Sequence, residues 1–203
     1  PLLRQALAWV GHVQTRNRGT IGGSLAHADP AAELPLVAQV LAAKMILHST
    51  TGTRTVAAAE FFAGPLMTAL EPHECLAEIH WPVWTGVRTG AAFTEVSRRH
   101  GDFAIIAACA QIAVDEDRRC VRASFGLGGG GSTPLAFPQL AARLAATRLE
   151  DDVVQSVAQA AAAELDPGGD LHASSGYRKH LAGVLAARVL RAAYAQAQAQ
   201  GNE

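Results

Sequence analysis

Three apolar runs succeed one another with little between them: Ala91 to Ser97, Ile105 to Val114 and Cys120 to Leu127. Asp115-Glu116-Asp117 makes the turn after the second run. Parallel pairing needs a crossover of a dozen or more residues, so connections this short force neighbouring strands to run antiparallel. The middle of the chain is therefore a three-stranded antiparallel meander. The final third of the chain is helical. Val153, Val154, Val157 and Ala161 form one apolar stripe, and Leu181, Val184, Leu185 and Val189 form another. Asp166-Pro167-Gly168-Gly169 separates the two. A run of strands before a run of helices specifies an α+β domain. The tail from Ala195 to Glu203 is polar and is expected to fray.

The chain before the meander reads as a second unit. Leu3, Ala6, Leu7 and Val10 recur at helical spacing and stop at Gly11. A helix starts near Pro35, with Leu36 to Ala43 as its body. Lys44 to Ser49 is a strand, Thr50-Thr51-Gly52 a turn, and Arg54 to Val56 the returning arm of a hairpin. Phe61 to Pro65 reads as a short helix end and loop, and Cys75 to Val83 as another strand. The stretch from Thr85-Gly86 to Thr89-Gly90 marks a boundary, giving domains 1–86 and 87–203.

Composition narrows the function. The 203 residues are 49% hydrophobic, which excludes a disordered chain. A net charge of -1 leaves no basic excess for a nucleic-acid backbone. Cys75, Cys109 and Cys120 are far apart, with no metal-ligand spacing, and free thiols fit a reducing compartment. The apolar stretches are too short to span a bilayer, and the first residues lack a signal-peptide pattern.

The densest cluster of special residues runs from Thr20 to Pro35. Gly22 and Gly23 remove two Cβ atoms and let a ligand approach the backbone. Thr20, Ser24 and His27 add donors, while Asp29 and Glu33 offer acceptors for ribose- or ribityl-type hydroxyls. This set suits a polyhydroxylated, phosphorylated cofactor. An ordinary turn is the competing reading of a Gly-Gly pair with Asp29-Pro30 behind it. The spacing matches neither the Rossmann fingerprint nor the P-loop. Gly126-Leu127-Gly128-Gly129-Gly130 only superficially resembles such a fingerprint and reads as a flexible strand end or turn.

The segment Arg16 to Pro35, with Thr20-Ile21-Gly22-Gly23-Ser24 at its heart, resembles the second flavin-binding segment of the molybdenum hydroxylases. The resemblance is to their FAD-binding medium subunit, as in carbon monoxide dehydrogenase and xanthine dehydrogenase. It continues through Glu74 to Ile79, Gly90 to Phe93 and Ser97 to Ala104, and so spans nearly the whole chain. It implies the C-terminal part of a vanillyl-alcohol-oxidase/PCMH-like FAD domain, and after it a CO dehydrogenase flavoprotein C-terminal domain. It places Thr20, Ile21, Gly22, Gly23 and Ser24 along the FAD phosphates and ribityl chain, with Ala26 and His27 beside them. Glu33 would meet a flavin hydroxyl and Leu76 the ring. Thr94 stands where some members have a lysine. Arg98, His100 and Asp102 would belong to a loop approaching the isoalloxazine.

The resemblance further implies an oxidoreductase in which FAD passes electrons from 2Fe-2S clusters to an external acceptor. The clusters would sit in a small subunit and a molybdopterin cofactor in a large one, assembled as a dimer of heterotrimers. The expected location is the cytoplasm, including the inner face of the membrane as a peripheral site. The chain is expected to begin inside the family pattern, without the half-domain whose Ala-Gly-Gly-x-Ser-Leu segment holds the pyrophosphate. In isolation it would then bind FAD weakly and be inactive. Two alternatives remain: a non-catalytic assembly module without flavin, and a standalone FAD oxidoreductase. Among other residues, Arg178, Lys179, Arg188 and Arg191 read as a solvated helix face, and Trp81 and Trp84 as packing residues.

Overall fold

The computed structural model describes residues 1–85 and 88–200. The boundary expected between residues 86 and 87 therefore lies outside the described residues. Four helices come first: α1 (Leu2–Ala6), α2 (Val13–Arg18), α3 (Ile21–His27) and α4 (Glu33–Val40). Next come the hairpin of β1 (Lys44–Ser49) and β2 (Gly52–Ala57), then α5 (Ala58–Phe61), β3 (Phe62–Gly64), β4 (Met67–Thr68) and β5 (Cys75–His80). β1 pairs antiparallel with both β2 and β5, so the small sheet has the order β2-β1-β5. Leu25 of α3, Leu34 and Ala38 of α4, Met45 and Leu47 of β1, and Phe61 close its core.

The second region is built on β6 (Arg88–Val96), β7 (Ile106–Val114), β8 (Cys120–Gly128) and β9 (Leu135–Ala136), antiparallel in that order. The expected sheet of three strands thus has a fourth. β9 holds only two residues behind Pro134, too few to show alternation, and it pairs Gly126 with Ala136 and Leu127 with Leu135. α6 (Pro138–Ala142), α7 (Asp151–Glu164) and α8 (Ser175–Ala199) complete the chain. Asp151 and Asp152 lie in the first turn of α7, where a carboxylate is favoured by the exposed N–H groups. The Ser174 hydroxyl caps α8 by accepting from Tyr177 N at 3.2 Å.

Every residue of β7 is buried, because the strand is covered on both faces. Ile106, Ala108, Ala110 and Ile112 face α7 and α8, while Ala107 and Cys109 face α1 and α4. Uninterrupted apolar sequence is what such a strand needs. β6 lies so close to α8 that a Cβ at Gly90 would collide with the Ala193 carbonyl and the Ala197 nitrogen.

The tail expected to fray does not do so over its described residues. α8 runs to Ala199, with Ala193 and Ala197 fully buried. The polar side chains of this stretch serve β6, the edge strand of the sheet. The Gln196 side-chain oxygen accepts from Ala91 N at 2.6 Å, and that of Gln200 accepts from Thr89 N at 3.1 Å. Gln5 of α1 donates to the Ala91 carbonyl at 2.7 Å. Side-chain amides thus take the place of a neighbouring strand.

Candidate functional site

The Gly-Gly pair lies inside a helix, not in a turn. Thr20 stands in extended backbone just ahead of α3, and its hydroxyl accepts from Gly23 N at 2.9 Å. This cap accounts for one glycine, since a Cβ at Gly23 would sit 2.9 Å from that same hydroxyl. Gly22 is different. A Cβ there would meet nothing within 4 Å, so the protein's own packing gives no reason for glycine at this position.

Ala28, at φ 54, ends α3 in the left-handed conformation. The Asp29 carboxylate then accepts from Ala31 N at 2.8 Å, which turns the chain into α4. Glu33 opens that helix and is only 8% exposed. Burial pushes its carboxyl above the usual range, with a further upward contribution from the charge of Asp29. A strap between β6 and β7 crosses in front. Ser97 Oγ donates to the Arg99 carbonyl at 2.8 Å, Gly101 adopts φ +91, and Ile105 N returns to the Val96 carbonyl at 2.7 Å. His100 stacks on Trp9 with centroids 5.7 Å apart, and Trp9 in turn leans on Phe93.

These elements enclose two adjoining cavities. One, of about 800 Å³, is lined by Thr20, Ile21, Gly23, Ser24, His27, Glu33 and Asp102, with Leu7, Val10 and Phe103 as apolar walls. The other, of about 830 Å³, lies between the strap, the Asp29–Ala31 turn and the Asp166–Asp170 loop. Asp29, Gly101, Asp102 and Phe103 belong to both and form the wall between them. Both volumes fall in the range of small-molecule and cofactor sites.

Seven of the expected site residues thus line one cavity. Four do not. Gly22 presents open backbone beside it. Ala26 is exposed on α3 and lines neither cavity. Leu76 lies in β5 opposite Leu47, packs on the core of the small sheet and lines neither cavity. Thr94 lines neither cavity either. Alternation along β6 puts it on the face of Ala92 and Val96, toward the last helices, while Ala91 and Phe93 face α1 and α4. Of the two strap residues expected with Asp102, Arg98 lines the larger cavity, and His100 is held by Trp9.

Two residues escaped the sequence reading. Glu95 is 7% exposed, and both its carboxyl oxygens are buried without a hydrogen-bond partner among the described residues. Burial, and then the charge of Glu33, push its carboxyl up to about 8. Period-two alternation on β6 was the signal that it faces α4. Arg178, assigned above to a solvated face, is instead 9% exposed. It donates to the Ile105 carbonyl at 2.6 Å, the Gly129 carbonyl at 3.2 Å and Asp170 at 2.6 Å. A helical wheel cannot show carbonyls that distant in sequence.

The comparisons with known proteins identify the family and the fold. Residues 1–84 match the family described as FAD binding domain in molybdopterin dehydrogenase, and residues 91–193 match the CO dehydrogenase flavoprotein C-terminal domain. The chain is 39% identical over 198 residues to the 6-hydroxypseudooxynicotine dehydrogenase complex subunit alpha of Paenarthrobacter nicotinovorans, covering 98% of this chain and 67% of that one. It is 34% identical to the carbon monoxide dehydrogenase medium chain of Hydrogenophaga pseudoflava, over 97% of this chain and 68% of that one. Among solved structures, quinoline 2-oxidoreductase from Pseudomonas putida 86 superposes with a TM-score of 0.89 at 34% identity, covering 96% of this chain and 67% of that one. The chain thus spans about two thirds of the length of these relatives.

Proposed function

The chain belongs to the FAD-binding medium-subunit family of the molybdenum hydroxylases, and from that premise we propose that it holds FAD in the cavity between α3 and the strap. The cavity itself carries this reading: Thr20, Ile21, Gly23, Ser24, His27, Glu33 and Asp102, drawn from α3, α4 and the strap, all line it. Gly22, where a Cβ would meet nothing within 4 Å, lies in sequence between two of these lining residues. The residues around it fit the cofactor. Thr20, Ser24 and His27 are hydrogen-bonding groups suited to phosphate and ribityl oxygens, and Ile21 and Gly23 supply apolar and backbone surface. Glu33 supplies a buried carboxyl for a ribityl or ribose hydroxyl. Asp102 and the exposed ring of Phe103 sit on the strap, where they narrow access to the cavity. Ala26, Leu76 and Thr94 line neither cavity.

When bound, FAD would exchange electrons between iron–sulfur clusters in a small partner subunit and an external acceptor. This chain's own residues bind, orient and shield. None is required as a general acid or base. Substrate oxidation belongs to a molybdopterin cofactor in a large partner subunit, in an assembly expected to be a dimer of heterotrimers. No helix among the described residues is long and apolar enough to cross a membrane, and we place the assembly in the cytoplasm. Relatives named for a nicotine derivative, carbon monoxide and quinoline fit a medium subunit that does not itself choose the substrate.

The test is calorimetric titration of FAD into the purified protein and its G22V variant. Saturable binding by the wild type, weakened in G22V with no fall in melting temperature, is the expected result. A complete wild-type protein that neither retains nor binds flavin would overturn the assignment.

A further inference from the structure

Arg178 joins three segments that are remote in sequence. Its guanidinium reaches Ile105 and Gly129, 73 and 49 residues away, and Asp170 on the loop before its own helix. The Gly129 contact continues onward, because Gly129 N donates to the Pro30 carbonyl at 2.9 Å. One line of hydrogen bonds thus runs from α8 through Gly129 to the turn that launches Glu33. A second runs from α8 to Ile105, where the strap ends. These are the two sides of the wall between the cavities.

The placement is costly for the fold. A charge that is nine-tenths buried loses its hydration, and the ion-pair partner Asp170 is itself half exposed. Arg178 Nε is buried without a partner among the described residues. Stability alone favours an apolar residue at such a position, since replacing buried ion pairs with hydrophobic residues is often neutral or stabilising. What an apolar residue cannot do is hold two carbonyls and a carboxylate at once. A lysine, as a single point of charge, does not reproduce the planar fork either.

We propose that Arg178 is a positioning residue for the cofactor site: it sets the Asp29–Pro30 turn and the Gly101–Ile105 strap at fixed spacing, and so sets the wall against which the flavin and its electron acceptor meet. This rests on the flavin reading above. Arg178 itself lines the cavity of about 830 Å³ and not the one proposed for the flavin, so it acts on the flavin site through Gly129, Pro30 and Ile105.

The experiment uses the complete protein, purified as it assembles in its own host, in wild-type, R178K and R178Q forms. Three readouts are taken: amide hydrogen exchange at residues 29–31 and 101–105, FAD affinity, and the KM and kcat for reduction of a tetrazolium dye. In R178Q, exchange rises in both segments while α7 and the small sheet stay protected. FAD affinity falls about tenfold as the wall loses its fixed spacing, and the dye KM rises more than kcat falls. R178K recovers only part of the loss. Unchanged exchange in the two segments, or wild-type FAD affinity and dye KM in R178Q, overturns the proposal. A wild-type protein without flavin instead overturns the reading beneath it, and the exchange data then stand alone. If R178Q fails to fold, D170N serves. It keeps the two carbonyl contacts, so exchange should rise at the Asp170 loop and leave 101–105 unchanged; a rise at 101–105 overturns the proposal.

Discussion

Two glycine clusters in this chain look alike on paper and differ completely in space. Around Gly22 there is room. At Gly126, Gly129 and Gly130 there is none: a Cβ at Gly126 would stand 2.5 Å from the Leu135 carbonyl and from a Val40 methyl. At Gly128 it would make ordinary contact with Leu36 at 3.4 Å, and at Gly130 it would lie 2.7 Å from Leu165. Gly129, at φ +75, would bring a Cβ to 2.8 Å from the Ile105 carbonyl. The stretch read as a flexible strand end is the place where α4, β9 and the strap close onto β8. Glycine serves there because the protein itself fills the space, whereas a Cβ at Gly22 would meet nothing within 4 Å, and in the flavin reading proposed above that space belongs to the ligand. Two glycines in a row therefore say little until the position of a missing methyl is known.

The contrast can be broken at either end. G126A should have the largest effect, a loss of about 3 kcal/mol or more from overpacking between β9 and α4, read as a fall in the denaturant midpoint at unchanged slope. G129A combines positive φ with a close carbonyl and should cost about 2 kcal/mol; its flavin affinity should fall with it. T20A removes the α3 cap and should cost about 1 kcal/mol, seen in thermal unfolding. G22A should leave stability unchanged or raise it by under about 1 kcal/mol, as alanine is the better helix former. Its FAD affinity alone should drop, and a G22A protein with normal affinity would end the comparison.

The smallest effect at fixed pH belongs to E95Q at pH 4, below the ordinary glutamate value. There the Glu95 carboxyl, pushed up to about 8 in the fold, already holds its proton. In the unfolded chain it ionises near the ordinary glutamate value. The folded state therefore binds the extra proton between the two values, and stability falls as pH rises toward about 8. Urea unfolding from pH 5 to 9 should show this slope in the wild type and a flatter one in E95Q. Equal slopes would mean that Glu95 has a partner when ionised.

The main elements were readable from sequence where the signal was local. Turn residues at 50–52 and 115–117 set the hairpin and the meander, and apolar spacing marked α7 and α8. The first region's Thr20–Pro35 segment announced itself by density of unusual residues. Features that depended on distant partners stayed hidden. β9 is too short for a pattern, Arg178 looks solvated until Ile105 and Gly129 arrive, and Gln196 and Gln200 look like a frayed tail until β6 is placed beside them. A motif carries residue order over from a family, but the face on which each side chain emerges is decided by the strand that holds it.

The amides that guard β6 also set a schedule. Gln196 lies 105 residues after Ala91 in the chain. At ordinary elongation speeds of about 5–20 residues per second, the ribosome takes roughly 5–20 s to deliver one after the other. Throughout that interval Gln5, made earlier, is the one of these three amides that can reach the outer edge of β6, and β7, β8 and the strap can form beside it. Nascent chains on one message are thus exposed to each other along a half-covered strand until the last turns of α8 emerge, and crowding on the polysome should weigh heavily in how much correctly folded protein is made.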